Sequence, residues 1–315
     1  MPLPVTVYRW DDPGAPQITS TGKPSEIINV LKKCLVEGYG NKTPLGWSMP
    51  FEDVSTFKAV FQNSTETGSG GAFQIESTDG TDGDHYSVMV TPAASITAVD
   101  NFVRRGFKQN LRAEDYCENW IVIGTSTAFY FFIHRADVAS YDLSTRYEAS
   151  LFAGDFVSVF ANDVSRFIAI VQPGRTGDSS STNWGNTIGN MGSQNVVAKV
   201  YETTGGDASD MLQTQFDVPK LVADPDENMP LIVLENIRLR CQSSYNNLDS
   251  SGTRLVNSHL MPYLRGVLPG LFLSIQQGYK DVLFPYIKQI NGEEHFLVRS
   301  RYSNNAWINM EQWDV

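Results

Sequence analysis

The chain has 315 residues, of which 41% are hydrophobic and 19% are charged. This composition excludes a disordered chain, and the length provides for one large or two modest hydrophobic cores. The formal net charge of −11 argues against a nucleic-acid partner, since binding to a phosphate backbone needs clustered Lys and Arg.

The cysteines and the absence of targeting signals further limit the class of protein. Cys34, Cys117 and Cys241 are far apart and form no C-x-x-C pair, which predicts three buried thiols in a reducing cytoplasm. No basic segment followed by an apolar one opens the chain, so we expect no signal peptide. No apolar run reaches the roughly 18 residues of a membrane span. We also expect no cofactor.

The chain opens with a short alternating segment, residues 5–10, which predicts a β-strand. The turn sequence Asp11-Asp12-Pro13-Gly14 closes this strand. One helix follows, with Ser25 as its predicted N-cap and Gly38 as its end. Because a helix this short depends on packing, we expect its apolar face to lie on a sheet. That face consists of Ile27, Ile28, Leu31 and Leu35.

Short runs of β-branched and aromatic residues, separated by turn formers, occupy most of the remaining chain and predict strands. The predicted strands are residues 56–63, 72–75, 86–90, 120–123, 128–133, 156–160, 166–171, 196–201, 231–240, 266–273, 294–302 and 306–313. The last two form a predicted terminal hairpin. Residues 95–111 fit either a helix or a twisted strand.

Residues 119–160 form the predicted centre of the fold. Within them, the run Phe129-Tyr130-Phe131-Phe132 is apolar on both alternating faces, so we expect both faces to be covered. We therefore predict a mainly β protein with β-sandwich-like layered antiparallel sheets and one or two peripheral helices. The predicted division is an N-terminal arm and helix (1–45), a β domain (46–173), a Gly/Ser-rich loop or linker (174–193) and a second β-rich region (194–315).

The sequence predicts no catalytic residue. Motifs for a nucleophile elbow, a phosphate loop and a zinc protease are missing, and we interpret His134 as a strand-end residue. The stretch from Asp79 to Asp84 resembles a calcium loop in composition but lacks the bidentate Glu of an EF-hand. Asp79, Asp82 and Asp84 are therefore candidate metal ligands, and an Asp/Gly-rich hairpin tip is the alternative.

A set of packing and turn motifs runs along most of the chain. They are VYRWDDPGAP at 7–16, CLVEGYG at 34–40, PLGW at 44–47, KAVF at 58–61, Gly70-Gly71, Gly154-Asp155-Phe156, LPGL at 268–271 and FLVR at 296–299. Together they resemble a family of structural proteins from tailed-bacteriophage virions. At residues 105–108 the chain has Arg-Gly-Phe-Lys where that family has an Arg-Gly pair followed by a Met/Asp stretch.

The resemblance implies a non-enzymatic structural component of a tail, baseplate or tail tip, present in multiple copies and bound to other virion proteins. The alternatives are a receptor- or glycan-binding module at the tail tip, bound to a host surface glycan, and a head or neck accessory protein. We expect no nucleic-acid partner and no membrane insertion. The expected location is the virion, after synthesis in the host cytoplasm.

Aromatic residues in three segments are the candidate partner contacts, because such residues are enriched at binding hot spots. The segments are the arm at residues 2–16, which could add to a neighbour's sheet edge, the loop at 174–193 and the terminal hairpin. We expect at least one of them to be buried against another chain. A Trp184 that fixes its own loop is an alternative to a sugar site with Asn183 and Asn186. The candidate contacts are Tyr8, Trp10, Trp184, Trp307 and Trp313.

Overall fold

The structure is a computed structural model that describes residues 2–19, 22–83, 87–112, 117–135, 148–181, 187–193, 196–215, 234–241, 264–274, 279, 282–299 and 305–314. Within these residues, 21 strands form layered antiparallel sheets, and one α-helix packs against them. The predicted class, mainly β and β-sandwich-like, is confirmed.

Five strands form the central sheet. They are β2 (Thr6–Arg9), β9 (Asn119–Gly124), β10 (Ala128–His134), β11 (Glu148–Asp155) and β13 (Phe167–Ile170). Their order across the sheet is β13-β11-β10-β9-β2. Strand β10 lies in the middle and pairs with a neighbour on each side, β11 and β9. The predicted centre of the fold is therefore the centre of this sheet.

Both faces of β10 are covered, as its continuous apolar sequence predicts. Phe129 and Phe131 belong to one hydrophobic cluster, and Tyr130 and Phe132 belong to another. Successive side chains of a strand point to opposite sides of the sheet, and every residue of β10 is buried. The central sheet is thus the middle layer of three.

A second sheet covers the face that carries Phe129 and Phe131. Its strands are β3 (Ser48–Asp53), β4 (Lys58–Gln62), β5 (Ala72–Ser77), β6 (Ser87–Ala98), β7 (Asn101–Arg105) and β8 (Gln109–Arg112). Strand β6 is long enough to pair with β5, β7 and β8. Phe61 and Phe73 join the cluster of Phe129, and the Trp47 ring lies 5.2 Å from the Phe129 ring.

The α-helix, α1, spans Pro24–Lys32 and continues into a π-helical turn, Lys33–Glu37, that ends at Gly38. Its predicted apolar face is confirmed, because all four of its residues are buried between the central and second sheets. The N-cap is Lys23, so the prediction of Ser25 is wrong. Pro24 takes the first helical position, where the missing N–H needs no partner.

A third sheet covers the face that carries Tyr130 and Phe132. Its strands are β12 (Val157–Ser158), β14 (Val196–Tyr201), β15 (Ser209–Gln215), β16 (Leu234–Cys241), β17 (Leu264–Ser274), β18 (Ile287–Ile290), β19 (Glu293–Val298) and β20 (Ala306–Asn309). The order is β14-β15-β16-β17-β20-β19-β18, with β12 beside β17. The predicted terminal hairpin is present as the antiparallel pair of β19 and β20.

The N-terminal arm is built into its own chain. Strand β1 (Leu3–Pro4) pairs with β21 (Gln312–Trp313), and β2 forms one edge of the central sheet through its pairing with β9. Strand β12 likewise joins the first half of the chain to β17. The predicted segments 1–45, 46–173 and 194–315 therefore share sheets and hydrophobic clusters.

Near β11 the structure differs from the predicted strands in two places. Residues 156–160, predicted as one strand, pair only at Val157–Ser158, and the side chains of Val159 and Phe160 are exposed. Strand β11 has no counterpart among the predicted strands, because its Glu, Ser and Gly residues interrupt the apolar run EASLFAGD. The ambiguous residues 95–111 form strands: the end of β6, β7 and the start of β8.

The predicted linker at residues 174–193 is anchored at its far end. A 3₁₀-helix spans Ile188–Ser193, and the side chains of Ile188 and Met191 are buried in the cluster beneath the third sheet. The Ser150 hydroxyl accepts the Ile188 N–H at 2.9 Å. The many small polar residues of this stretch therefore give no indication that Ile188 and Met191 are core residues.

A buried polar cluster joins the second sheet to the central sheet. The carboxylate of Asp155, whose residue is 6% exposed, accepts the Ser69 N–H at 2.7 Å and the Ser69 hydroxyl at 2.6 Å. It also accepts the Asn63 amide at 3.0 Å and Arg166 Nε at 3.0 Å. Burial raises the pKa of Asp155, and the bonds from Ser69 and Arg166 offset part of that effect.

Gly71 lies beside this cluster and against the central sheet. A Cβ added to Gly71 would lie 2.2 Å from Cγ of Phe167, which belongs to β13. Such a distance forces the ring to move. The Gly70-Gly71 motif therefore allows a close approach between two sheets.

We predict that Gly71→Ala lowers the free energy of unfolding by roughly 1–3 kcal/mol, the usual cost of overpacking a core. Urea unfolding of both proteins measures the difference. Gly177→Ala is the matched control, because its added Cβ would meet no atom within 4 Å. The control should stay within about 0.5 kcal/mol of the parent. Equal stabilities of the two variants would contradict the close approach.

Candidate interaction surface

Three of the five predicted partner contacts are core residues, so their assignment to a contact surface is corrected. Tyr8 and Trp307 are 0% exposed, and Trp313 is 1% exposed. The Tyr8 hydroxyl donates to the Thr43 carbonyl at 2.5 Å, and Trp313 Nε1 donates to the Asn309 carbonyl at 2.7 Å. These rings lie inside because their strands pair within the chain.

The other two predicted contacts differ from these. Trp10 is partly buried, and its ring stacks on Phe284 with the centroids 6.0 Å apart. The guanidinium carbon of Arg9 lies 5.2 Å from the centre of the Trp10 ring. Trp184, with the neighbouring Asn183 and Asn186, lies outside the described residues, so its contact stays a prediction.

The predicted metal loop makes hydrogen bonds within its own chain. Asp82 accepts the Ser25 N–H at 2.9 Å and the Ser25 hydroxyl at 2.7 Å, so it caps the start of α1. Asp79 accepts bonds from the Thr81 N–H and hydroxyl and from the Ser77 hydroxyl, which hold its pKa below the usual value. Asp84 lies outside the described residues. These contacts favour the hairpin-tip alternative.

The three cysteines and His134 lie inside the fold. The three cysteines are buried and form no disulfide, as predicted. Burial raises the pKa of Cys34, and it raises the pKa of Cys241 to about 11. His134 ends β10, as predicted, and is 2% exposed. Within the described ranges, no three His, Cys, Asp or Glu side chains are grouped as metal ligands.

Four of the seven large apolar side chains that the described residues expose lie in or next to the loop after β12. Val159, Phe160 and Val164, which are 53%, 42% and 54% exposed, occupy the loop after β12, residues 159–165. Leu264 lies beside this loop, because its neighbour Arg265 accepts the Val159 N–H at its carbonyl, at 3.0 Å. We name Val159, Phe160, Val164 and Leu264 the apolar patch.

A buried ion pair holds the 159–165 loop in place. Arg265 Nε donates to Asp163 Oδ2 at 2.6 Å and Arg265 Nη2 donates to Oδ1 at 2.8 Å, and both side chains are 0% exposed. The same carboxylate accepts the Ser158 hydroxyl at 2.8 Å and the Ser165 N–H at 3.0 Å. Both ends of the loop are thus tied to one carboxylate. Such two-point contacts fix orientation as well as distance.

Main-chain bonds fix the loop on its other side. The Val164 N–H donates to the Thr203 carbonyl at 3.1 Å, and Arg265 Nη2 donates to the Tyr201 carbonyl at 2.8 Å. Residues 201–203 begin at the last residue of β14. Phe160 and Val164 therefore cannot fold inward unless these bonds break.

Basic side chains border the apolar patch near Val164. Arg104, Val164 and Lys199 line one groove between the second and third sheets. Arg104 Nε lies 3.5 Å from Asp207 Oδ1, and the Asp207 side chain is 96% exposed. This border thus carries two basic side chains and one acidic one.

The sequence does not reveal this surface, because FVSVF at residues 156–160 is rich in β-branched and aromatic residues, as a buried strand is. One local signal is the Asn162-Asp163 pair, since both residue types favour turns. The partner that fixes the loop, Arg265, lies 102 residues away from Asp163. A local pattern cannot identify a contact at that separation.

No protein-family model matches the chain, and no curated protein matches its sequence. No helix in the described part of the chain is long and apolar enough to cross a membrane. The interpretation of the surface therefore depends on the geometry of the chain itself.

We predict that Asp82→Ala lowers the free energy of unfolding by about 1 kcal/mol, the typical loss when a helix cap is removed. Thermal and urea unfolding measure the change. Asp207→Ala, at a side chain that is 96% exposed, is the control and should change stability little. If the two variants lose the same stability, Asp82 does not act as a cap.

We predict that Arg265→Met and Asp163→Asn each lower the free energy of unfolding by roughly 3–5 kcal/mol, because each leaves a buried group without its partner. The double variant should lose clearly less than the sum of the two. A double-mutant cycle by urea unfolding tests this. Arg9→Met, at an exposed pair with Asp11, is the control for loss of a surface ion pair. Additive losses would show that the two groups act independently.

Proposed function

We propose that the protein is a non-enzymatic structural component of a tailed-phage virion that acts through protein–protein contacts. The observation that carries this proposal is the apolar patch, which a buried ion pair holds in an exposed position. Fixing apolar side chains in water gives a lone molecule no hydrophobic stabilisation. The same side chains become favourable once a partner covers them.

The rigidity of the 159–165 loop supports a stable contact rather than a transient one. A flexible loop loses conformational freedom when it binds, and that loss reduces affinity. Here the bonds of Asp163 to Arg265, Ser158 and Ser165 have already ordered the loop. A partner therefore gains the hydrophobic contact without a further ordering cost.

The resemblance to virion structural proteins supplies the setting. Among its motifs, Gly70-Gly71 and Gly154-Asp155-Phe156 meet at the cluster of Asp155 and Ser69, where two sheets join. These motifs thus contribute to the packing of the fold, as expected for a family of structural proteins. We place the protein in the tail, baseplate or tail tip, in multiple copies and in contact with other virion proteins.

The contact surface differs from the one that the sequence predicts. Strands β1 and β2 already pair with β21 and β9, so each has one side taken up within its own chain. The terminal hairpin lies inside the third sheet. The apolar patch is therefore the proposed contact, at the centre of an interface above about 1,000 Å² in total.

We predict that a Val159→Ser/Phe160→Ser double variant folds but is depleted about tenfold or more from purified particles. Loss of about 1.4 kcal/mol at an interface centre is enough for a tenfold change in affinity. The phage that encodes this chain would carry the variant, and quantitative mass spectrometry of purified particles would measure incorporation. Circular dichroism and unfolding of the isolated protein verify the fold.

Val54→Ser is the matched control, because Val54 is 71% exposed but lies in the turn between β3 and β4, outside the apolar patch. It should be incorporated like the parent chain. Equal incorporation of the double variant would exclude the patch as the contact. Particles that contain no copy of the parent chain would exclude the virion assignment itself.

A further inference from the structure

A small pocket opens at the end of the central sheet, where β10 and β11 meet the segment before β18. Its wall contains four aromatic rings, one acid and two basic side chains: Phe132, Phe284, Tyr286, Phe296, Glu148, His134 and Arg299. Glu148 is the first residue of β11 and lies directly opposite His134 in the strand register. The pocket is thus mainly apolar with one carboxyl group in its wall.

Glu148 is buried with one oxygen atom unused. The residue is 8% exposed, and its Oε1 has no hydrogen-bond partner. The Thr187 hydroxyl bonds to the side chain and lowers its pKa in part, but burial dominates and raises the pKa of Glu148 to about 8. A buried oxygen without a partner is costly, so this atom is poised to accept a hydrogen bond.

The two basic side chains of the pocket make contacts with groups other than Glu148. The His134 ring stacks on Phe284 with the centroids 4.5 Å apart and an interplanar angle of 7°, and its Nδ1 lies 2.5 Å from the Arg135 carbonyl oxygen. Arg299 Nη1 donates to the Tyr279 carbonyl. The unused oxygen of Glu148 therefore has no donor from either residue.

The size of the pocket limits what can enter it. Its volume is about 20 Å³, which holds a group about as large as one water molecule. A sugar ring or an aromatic ring is too large. Leu283 lines the pocket and is 58% exposed, so the wall of the pocket extends to the surface at this residue.

We propose that this pocket binds a primary alkylammonium group, with the nitrogen donating to Glu148 Oε1 and the alkyl stem leaving past Leu283. An ammonium is nearly the size of water and carries three donors. The stem would contact apolar side chains, which adds hydrophobic stabilisation.

Binding is coupled to ionisation of Glu148. At pH 7 the carboxyl group is mainly protonated, because its pKa is about 8. An ammonium stabilises the carboxylate, so binding releases the Glu148 proton to solvent while the amine keeps its own three protons. Apparent affinity should therefore increase about fivefold from pH 7 to pH 8, as the ionised fraction of Glu148 rises. His134, Tyr286 and Arg299 are the other charged or titratable groups in the wall.

Two sources can supply this group: a free amine, or the side chain of a lysine on a partner protein. Isothermal titration calorimetry with n-butylammonium and with N-acetyl-lysine methylamide distinguishes them. We expect saturable binding with a Kd of about 1 mM, in keeping with so few atoms in contact. Tighter binding of the lysine derivative indicates a protein partner, and tighter binding of butylammonium indicates a free amine. Titrations in two buffers of different ionisation enthalpy measure the released proton.

Glu148→Gln is the decisive variant, because it keeps the shape but removes the charge and the proton. It should weaken amine binding at least tenfold and abolish both proton release and pH dependence. Glu52→Gln, at a surface acid paired with Lys32, is the control and should bind like the parent. Undiminished binding by Glu148→Gln, equal binding of neutral n-butanol, or no saturable binding of either amine would each overturn the proposal and leave a pocket that holds water only.

Discussion

The fold depends on one strand that is apolar on both faces. All seven residues of β10 are buried, with Phe129 and Phe131 on one side and Tyr130 and Phe132 on the other. Full burial of one large apolar side chain contributes about 1.5–3 kcal/mol to the free energy of folding. A face of the sheet left exposed to water would lose several such contributions. The central sheet therefore needs a cover on each face. The second sheet with α1 forms one cover, and the third sheet forms the other.

Two buried aspartates attach these covers to the central layer, and both lie in the segment from the end of β11 to the start of β13. Asp155 binds Ser69 from the second sheet's loop, whereas Asp163 binds Arg265 from the third sheet. Hydrophobic contacts between layers are not directional, but a buried carboxylate accepts donors only from defined positions. The two aspartates therefore set the register in which each cover sits on the sheet.

The parts of the fold that local chemistry determines could be predicted from the sequence. The continuous apolar run of β10 predicts its double cover, and the spacing of Ile27, Ile28, Leu31 and Leu35 predicts the face of α1; both are confirmed. The prediction of Ser25 as the N-cap is wrong, because Lys23 is the N-cap and Asp82, 57 residues away from Ser25, supplies the capping carboxylate. The residues that contact a partner were even harder to predict from the sequence. Trp307 and Trp313 have aromatic side chains typical of interfaces, but strand pairing places them inside.

The apolar patch shows most clearly why local patterns fail at a surface. Val159 and Phe160 follow β12 directly, and the bonds of Asp163 to Arg265, Ser158 and Ser165 hold their loop at the surface. Stability alone does not explain this arrangement. Replacing a buried ion pair with well-packed apolar residues is often neutral or stabilising, and Arg265 Nη1 even lacks a hydrogen-bond partner. What the pair provides is a fixed geometry for the 159–165 loop, which carries three of the four side chains of the apolar patch. The cost of burying Arg265 is then explained by the surface that the loop presents.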